Sequence, residues 1–244
     1  MIDGAGHGTH VAGTIGSRTW GVAKKTTLLA VRVLDSGGSG TNAGVIAGMN
    51  YVVSDAPSRT QQCPNGFVAN MSLGGRKYQA INDAVSFPVQ YITWLLIHIQ
   101  AAAIVASDIF LAVAAGNEGL PADYVSPASE PTVCTVGATA INDTLIEWSN
   151  YGPLVDILAP GVDITSTWIG SGIETISGTS MATPHIVGLA AYLLGLGAST
   201  EGLCGLIQGL ATRDVIDKAT LHGDTVNLLA YNHADGKKYG KARV

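Results

Sequence analysis

Ser180 is the first residue in this sequence that could do covalent chemistry. It lies in the segment Gly-Thr-Ser-Met-Ala-Thr-Pro-His over 178–185, directly before an apolar run. Because proline is tolerated in the first turn of a helix, Pro184 predicts a helix that begins close to Ser180. The N–H groups and dipole of a helix start suit a hydroxyl nucleophile beside an oxyanion. Serine is also a common N-cap, so this segment alone leaves an ordinary cap open.

Two other polar side chains could act together with a serine. His7 lies among small residues that would leave its ring accessible, as a general base requires. His7 and His10 could also form a metal pair, but no glutamate follows His7, so the zinc-protease pattern His-Glu-x-x-His is absent. Asn117 follows an apolar strand pattern, and a carboxamide at the end of a strand can donate to a developing oxyanion.

These side chains need a scaffold, and the apolar pattern predicts an α/β one. Short apolar runs ended by glycine are typical of buried parallel strands, and longer Gly-punctuated runs favour helices. Strands alternating with helices predict a mainly parallel sheet whose ligands bind at the carboxyl ends of the strands. The predicted strands are 27–34, 67–73, 109–115 and 132–138, and the predicted helices are 43–53 and 180–194.

Composition excludes several classes of protein. A hydrophobic fraction of 47% excludes a disordered chain, and a net charge of -5 gives no basic surface for nucleic acid or an anionic membrane. Cys63, Cys134 and Cys204 form no Cys-x-x-Cys pair, so a zinc ribbon is not expected. The apolar stretch 91–107 is short for a membrane span, and we expect no membrane partner. The first residues lack the basic and apolar regions of a secretory signal.

Periodicity is broken between residues 86 and 100. Removing these fifteen residues in thought places Ala103 and Ile104 on the helical face begun by Ile81, Ala84 and Val85. Our hypothesis is that 86–100 is an insertion into one helix, such as an untranslated gene segment retained in the product. A genuine long loop or extra helix is the alternative.

The segments around His7, Asn117 and Ser180, in that order, resemble the subtilisin-like serine proteases of family S8, in detail the proteinase K branch. The resemblance implies a three-layer α/β fold with a mainly parallel central sheet that lacks its N-terminal part. It covers a catalytic domain over 1–231, followed by a flexible tail over 232–244. Further matching segments are 21–24, 70–75, 126–131 and 225–229.

By this resemblance Ser180 is the nucleophile, His7 is the general base, and Asn117 donates to the oxyanion together with the Ser180 N–H. The implied substrates are polypeptides that pair with the chain as strands, which explains broad sequence tolerance. The implied substrate-binding residues are Gly38, Ser39, Gly40, Ser72, Leu73 and Gly74, with Ala114 and Gly116 lining the first specificity pocket.

The resemblance also implies a structural Ca²⁺ site, formed by the Asp156 carboxylate and the carbonyls of Pro131 and Val133. A surface aspartate at a strand end is the alternative. Cys134 and Cys204 match a family disulfide, which suits a secreted protein, and Cys63 matches a half-cystine whose partner lies upstream. We expect a monomer with no organic cofactor, whose full-length precursor carries an N-terminal propeptide.

One family element is missing. The family places an Asp-Thr/Ser-Gly turn before the histidine, and its aspartate orients the imidazole. Asp35 begins a similar motif but follows His7, and Asp3 belongs to the histidine motif itself. We therefore expect the chain as written to fold poorly and to be nearly inactive.

Other functional classes remain as alternatives. Gly-Ser-Gly-Thr-Asn-Ala over 38–43 fits a dinucleotide fingerprint, although Asp35 would repel a pyrophosphate, and a cofactor titration would test this. A non-catalytic homologue or binding module would keep the fold without reacting with a fluorophosphonate. An α/β-hydrolase is disfavoured because Ala182 replaces the final glycine of the Gly-x-Ser-x-Gly elbow.

Overall fold

The computed structural model describes residues 3–78 and 101–233 of the chain. Five α-helices are described: α1 (His7–Gly16), α2 (Asn42–Asp55), α3 (Ala101–Ala106), α4 (Thr179–Gly195) and α5 (Leu203–Leu210). The strands are β1 (Phe67–Met71), β2 (Gly75–Arg76), β3 (Ile109–Ala114), β4 (Val125–Ser126), β5 (Cys134–Thr139), β6 (Ile157–Pro160), β7 (Ile164–Trp168), β8 (Gly172–Ile176), β9 (Thr212–Arg213) and β10 (Leu228–Leu229).

The central sheet has the strand order β1-β3-β5-β6-β10-β9. The pairs from β1 through to β10 are parallel, and β9 joins β10 in antiparallel orientation. Every residue of β3 and β5 is buried, as expected of parallel strands covered on both faces. The structure thus confirms an α/β fold with a mainly parallel sheet.

Two apolar cores lie on opposite faces of this sheet. Alternate residues of β3 point to opposite faces, so Phe110 packs with α1, α4 and α5, while Leu111 packs with α2 and α3. The helix α4 is apolar on nearly all sides, and Met181 and Ile186 are almost completely buried. Three layers result, with α4 packed directly beneath the sheet.

Most of the predicted elements are confirmed, but the predicted strand over 27–34 is wrong. The helices predicted at 43–53 and 180–194 correspond to α2 and α4, and the other three strands to β1, β3 and β5. Residues 27–34 pair with no strand in the described part of the chain, and the side chains of Leu28 and Leu29 are 44% and 52% exposed. An apolar run supplies only the preference for extended backbone, whereas a strand also needs a partner for its ladder.

Two sequence predictions concern segments that lie wholly or mostly outside the described residues. The proposed insertion 86–100 and most of the tail, 234–244, lie outside the described residues. No helix within 3–78 and 101–233 is long and apolar enough to cross a membrane.

The disulfide between Cys134 and Cys204 gives the first testable prediction. It joins the first residue of β5 to α5 across a sequence separation of 70 residues. A loop of this length implies that Cys204→Ser lowers the free energy of unfolding by about 4 kcal/mol, measured by urea denaturation. The matched control is Cys63→Ser, because Cys63 is not disulfide-bonded. Equal stability of the two variants would contradict the prediction.

Candidate active site

Ser180 is the second residue of α4, where helix amides lack acceptors within the helix. The structure corrects one expectation, because Pro184 lies beyond the first turn, as the sixth residue of this helix. A proline at that position has no N–H for the carbonyl of Ser180, four residues earlier. That carbonyl instead accepts a hydrogen bond from the Ser72 hydroxyl at 2.7 Å. A donor from outside the helix thus compensates for the proline.

Ser72 and Ser180 are joined by a second contact. The Ser180 Oγ lies 3.2 Å from the Ser72 carbonyl oxygen and donates to it. The two residues therefore exchange hydrogen bonds, and Ser72 itself is 8% exposed. The sequence predicted Ser72 as a substrate-binding residue, and the structure places it directly against the predicted nucleophile.

Asn117 is fixed against the start of the same helix. Its Oδ1 accepts from both the N–H and the hydroxyl of Thr179, each at 2.8 Å. The Asn117 Nδ2 lies 3.8 Å from where a Cβ on Gly178 would stand. Because the carboxamide oxygen is occupied by Thr179, the amide nitrogen is the group left to donate. This arrangement places a donor beside the residue that precedes Thr179 and Ser180.

Asp3 holds the start of α1, the helix that begins at His7. Its carboxylate accepts from the N–H groups of Ala5, Gly6 and Thr9 and from the Thr9 hydroxyl. These bonds, with the Thr9 hydroxyl first, lower the pKa of Asp3 to about 2. Gly6 occupies the N-cap position and has no side chain, so Asp3 supplies the acceptor instead. The sequence analysis gave Asp3 no role. The signal that could have indicated one is an aspartate that directly precedes the glycine-rich start of a helix.

The ring of His7 is half-buried at the beginning of α1. Burial lowers the pKa of His7 below its ordinary value, the nearby His10 lowers it further, and the charge of Asp3 acts in the opposite direction. The imidazole is therefore neutral at pH 7, as a general base must be. His10 is fully buried, and its Nε2 lies 2.9 Å from the carbonyl oxygen of Ile164.

Several predicted residues line one groove of about 1860 Å³, which we call the open-edge groove. It is bordered by His7, residues 38–40, residues 72–74 and β1. Ser180 does not line the groove, but it is hydrogen-bonded to Ser72, which does. Asn117 does not line it either and is hydrogen-bonded to Thr179, the neighbour of Ser180. The structure therefore brings the predicted base and the predicted substrate-binding residues 38–40 and 72–74 to one surface.

The residues predicted to line the first specificity pocket do not border the open-edge groove. Ala114 is 4% exposed at the end of β3, inside the core. Gly116 has φ of +110°, and a Cβ there would approach the Asn150 Nδ2 to 2.2 Å, so only glycine fits. Their role in specificity stays a prediction.

Asp35, which the sequence analysis set aside as the catalytic acid, stabilises the loop that contains it. Its Oδ1 accepts from the N–H groups of Gly37 and Ser39. The exposed turn over 35–39 is thereby held in place at the edge of the groove.

Asp156 lies next to the disulfide between Cys134 and Cys204, with one of its carboxylate oxygens within 4.8 Å of both sulfur atoms. Burial raises the pKa of Asp156 to about 6, opposed by a hydrogen bond from the Thr135 N–H at 2.8 Å. The bonded sulfur atoms are not available to a metal ion, so the carboxylate is the hard ligand offered here.

Comparison with known proteins identifies the family. The family model described as "Subtilase family" matches residues 2–221. The chain belongs to the Subtilase family. It is 57% identical to "Subtilisin-like serine protease AsES" of Sarocladium strictum over 232 residues, which are 94% of this chain and 55% of that protein. It is 53% identical to "Proteinase T" of Parengyodontium album over 230 residues, which are 94% of this chain and 72% of that protein.

A solved structure supports the same assignment for this subtilase. The crystal structure of a cold adapted subtilisin-like serine proteinase matches with a TM-score of 0.80 and 41% identity, covering 96% of this chain and 77% of that one. The match shows that the fold is subtilisin-like. The chain spans only 55% and 56% of the lengths of the AsES protease and of "Alkaline serine protease ver112" of Corniculantispora psalliotae.

Asp3 generates the second prediction. Its pKa is about 2 in the folded chain against an ordinary value of 3.8, so its contribution to stability is present above pH 4 and lost as the pH falls through 2. Because Asp3 is partly exposed, we expect Asp3→Asn to cost about 1 kcal/mol at pH 7 and less at pH 2.5. Urea denaturation at the two pH values measures this, with the exposed Asp123→Asn as the control. A loss that is independent of pH would contradict it.

Proposed function

We propose that this subtilase is a serine endopeptidase that hydrolyses polypeptides through an acyl-enzyme on Ser180. The Ser180 Oγ attacks the scissile carbonyl while His7 accepts its proton, and His7 later donates that proton to the leaving amine. Water then attacks the acyl-enzyme and restores the hydroxyl. The supporting relatives are named serine proteases, and the catalytic domain is proposed to extend over residues 1–231.

The observation that carries this proposal is the attachment of Asn117 to the start of α4. Thr179 holds the carboxamide oxygen from two sides, which directs the amide nitrogen toward the region before Ser180. A tetrahedral oxyanion on the substrate could accept from this nitrogen and from the Ser180 N–H. Such preorganised donors supply a large share of catalysis in acyl transfer.

Substrate binding is proposed to use the groove edges. Residues 38–40 and 72–74 present backbone groups at the groove, where an extended polypeptide could pair with them. The Ser180 hydroxyl now donates to the carbonyl of Ser72, so a substrate that pairs with this carbonyl would release the hydroxyl for attack.

The imidazole lacks an orienting partner within the described chain. No side chain in 3–78 or 101–233 forms a hydrogen bond with the His7 ring, and the described Asp35 is engaged in its own loop. In subtilisin, a member of this family, loss of the orienting aspartate lowers kcat by about 3 × 10⁴, or roughly 6 kcal/mol. We infer that the 244-residue chain reacts slowly.

The third prediction concerns labelling by a fluorophosphonate probe. Ser180 should be labelled slowly, and the rate should rise with pH through an apparent pKa below 6.5, because burial lowers the pKa of His7 and favours its basic form. Mass spectrometry of the modified peptide measures the position and rate. Hydrolysis of a peptide substrate should also be weak, because no described side chain orients the His7 imidazole.

The controls separate the proposed enzyme from a non-catalytic binding module. Ser180→Ala should abolish labelling, whereas the exposed Ser199→Ala should not change it. A chain that binds peptides without being labelled at Ser180 would favour the binding module. Proteolysis at the full rate of a complete family member would contradict the inferred slow reaction.

We also propose that Asp156 contributes to a Ca²⁺ site together with the carbonyls of Pro131 and Val133. The residues fit such an ion, because the half-buried carboxylate accepts only one hydrogen bond from a described residue and its pKa is raised to about 6. A bound cation would offset the cost of keeping this carboxylate ionised in the fold.

The fourth prediction tests this site through stability. Without the ion, a folded pKa of about 6 against 3.8 means that stability falls as the pH rises from 4 to 6. At pH 7, adding CaCl₂ should therefore raise the Tm of the chain and should have little effect on Asp156→Asn. Asp123→Asn is the matched control and should respond like the unchanged chain. An equal response of all three would contradict the proposal.

The protein is proposed to act outside the cell as a monomer made from a precursor with an N-terminal propeptide. The disulfide between Cys134 and Cys204 supports an oxidising compartment. No nucleic acid or organic cofactor has a place in this proposal.

A further inference from the structure

The sequence contains two Asn-x-Ser/Thr triplets in which the middle residue is not proline. This pattern marks the acceptors of N-linked glycans. One triplet is Asn70-Met71-Ser72, and the other is Asn142-Asp143-Thr144. A pattern this short also occurs by chance, so its structural setting decides whether it can be used. A bulky oligosaccharide needs an asparagine at the surface.

Asn70 lies inside the central sheet, as the fourth residue of β1, where it is paired with Ala112 of β3. The atom that would carry a glycan is its Nδ2, and this nitrogen donates to the Ser72 hydroxyl at 3.0 Å. Ser72 in turn holds the carbonyl of Ser180. A sugar on Asn70 would therefore break a contact that supports the first turn of α4, so the first triplet does not fit a glycan in the folded chain.

Asn142 lies in the turn over 140–144, which directly follows β5. Asn142 is exposed together with its neighbours Ile141 and Asp143. Ile141 is 103% exposed, so the tip of the turn stands clear of the rest of the protein. None of the residues 140–144 borders the open-edge groove. A glycan on Asn142 would thus extend into solvent without entering this groove.

Backbone hydrogen bonds hold this turn in one shape. The Ala140 N–H donates to the Thr144 carbonyl at 3.0 Å, and the Asp143 carbonyl accepts from the Asp217 N–H at 2.9 Å. Asp143 itself has φ of +57°, a left-handed conformation that aspartate tolerates better than most residues. The exposed asparagine is therefore presented on a fixed support.

The two functional side chains of the second triplet already face each other. The Thr144 hydroxyl donates to the Asn142 Oδ1 at 2.8 Å. The carboxamide oxygen is thus the engaged atom, and the Nδ2 amide remains available for modification. The first triplet has the opposite arrangement, because there the hydroxyl of Ser72 engages the nitrogen of Asn70.

We propose that Asn142 is an N-glycosylation site, which receives an oligosaccharide from a polyprenyl diphosphate donor in the secretory pathway. The Asn142 Nδ2 forms a bond to C1 of the first sugar, while the bond between C1 and the diphosphate oxygen breaks. The nitrogen loses one proton, and the polyprenyl diphosphate leaves. The site rests on the part of the proposed function that places the protein outside the cell, and it is independent of the chemistry at Ser180.

The fifth prediction is that the full chain, exported by a yeast host behind a supplied leader peptide, carries a glycan on Asn142 and none on Asn70. Peptide N-glycosidase in heavy-oxygen water converts a glycosylated asparagine to labelled aspartate, which mass spectrometry of the peptides locates. Asn142→Gln and Thr144→Ala should each lose the glycan. Thr144→Ser should retain it, because serine keeps the hydroxyl that the triplet requires.

Translation of the full chain with microsomes tests the site even if the chain folds too poorly for export. Asn142→Gln should raise the gel mobility of the product by one endoglycosidase-sensitive step. The matched control is Asn50→Gln, because Asn50 is exposed but belongs to no triplet, and it should leave the mobility unchanged.

The outcomes separate this site from the proposed enzyme. Asn142 left unmodified in the exported chain, or in microsomes when no chain is exported, overturns the proposal. An exported chain that carries its glycan on Asn70 overturns it as well. A chain that is glycosylated on Asn142 but not labelled by the fluorophosphonate would refute the proposed enzyme and support this site, and labelling without a glycan would do the reverse.

Discussion

The geometry of the candidate site depends on one backbone carbonyl. Pro184 deprives the Ser180 carbonyl of its helical donor, and the Ser72 hydroxyl takes the place of that donor. This bond satisfies an acceptor in a half-buried region that would otherwise lack a partner within the helix. It ties the first turn of α4 to the segment that follows β1, two regions separated by 108 residues in sequence. The position of the hydroxyl group of Ser180 is thus set by the fold and not by its neighbours in the chain.

Both helices that carry the proposed catalytic groups begin in the same unusual way. Gly6 and Gly178 occupy the N-cap positions, and neither has a side chain that could cap its helix. Acceptors come instead from Asp3 for α1 and from Asn117 for α4. The two glycines serve different contacts: a Cβ on Gly6 would meet the ring of Trp168 at 2.4 Å, whereas a Cβ on Gly178 would stand 3.8 Å from the Asn117 Nδ2.

The sequence was sufficient to predict the parts that depend on local pattern. The helices α2 and α4 and the strands β1, β3 and β5 follow from continuous apolar runs, because these elements are buried on both sides or along one face. The attachments at the site were not predictable in this way. The pairing of Ser72 with Ser180 depends on contacts across the fold, and so does the absence of strand pairing for 27–34 among the described residues. The disulfide was expected only from the resemblance to a family.

The exposed segment 27–34 has a consequence for the handling of this chain. A window rich in leucine and valine is a seed for insoluble cross-β assembly when it is accessible to other chains. Arg32 interrupts the window, and its guanidinium donates to the carbonyl of Leu34. A charge within such a run acts as a gatekeeper against aggregation. Replacement of Arg32 by an apolar residue would therefore make this segment more prone to aggregation.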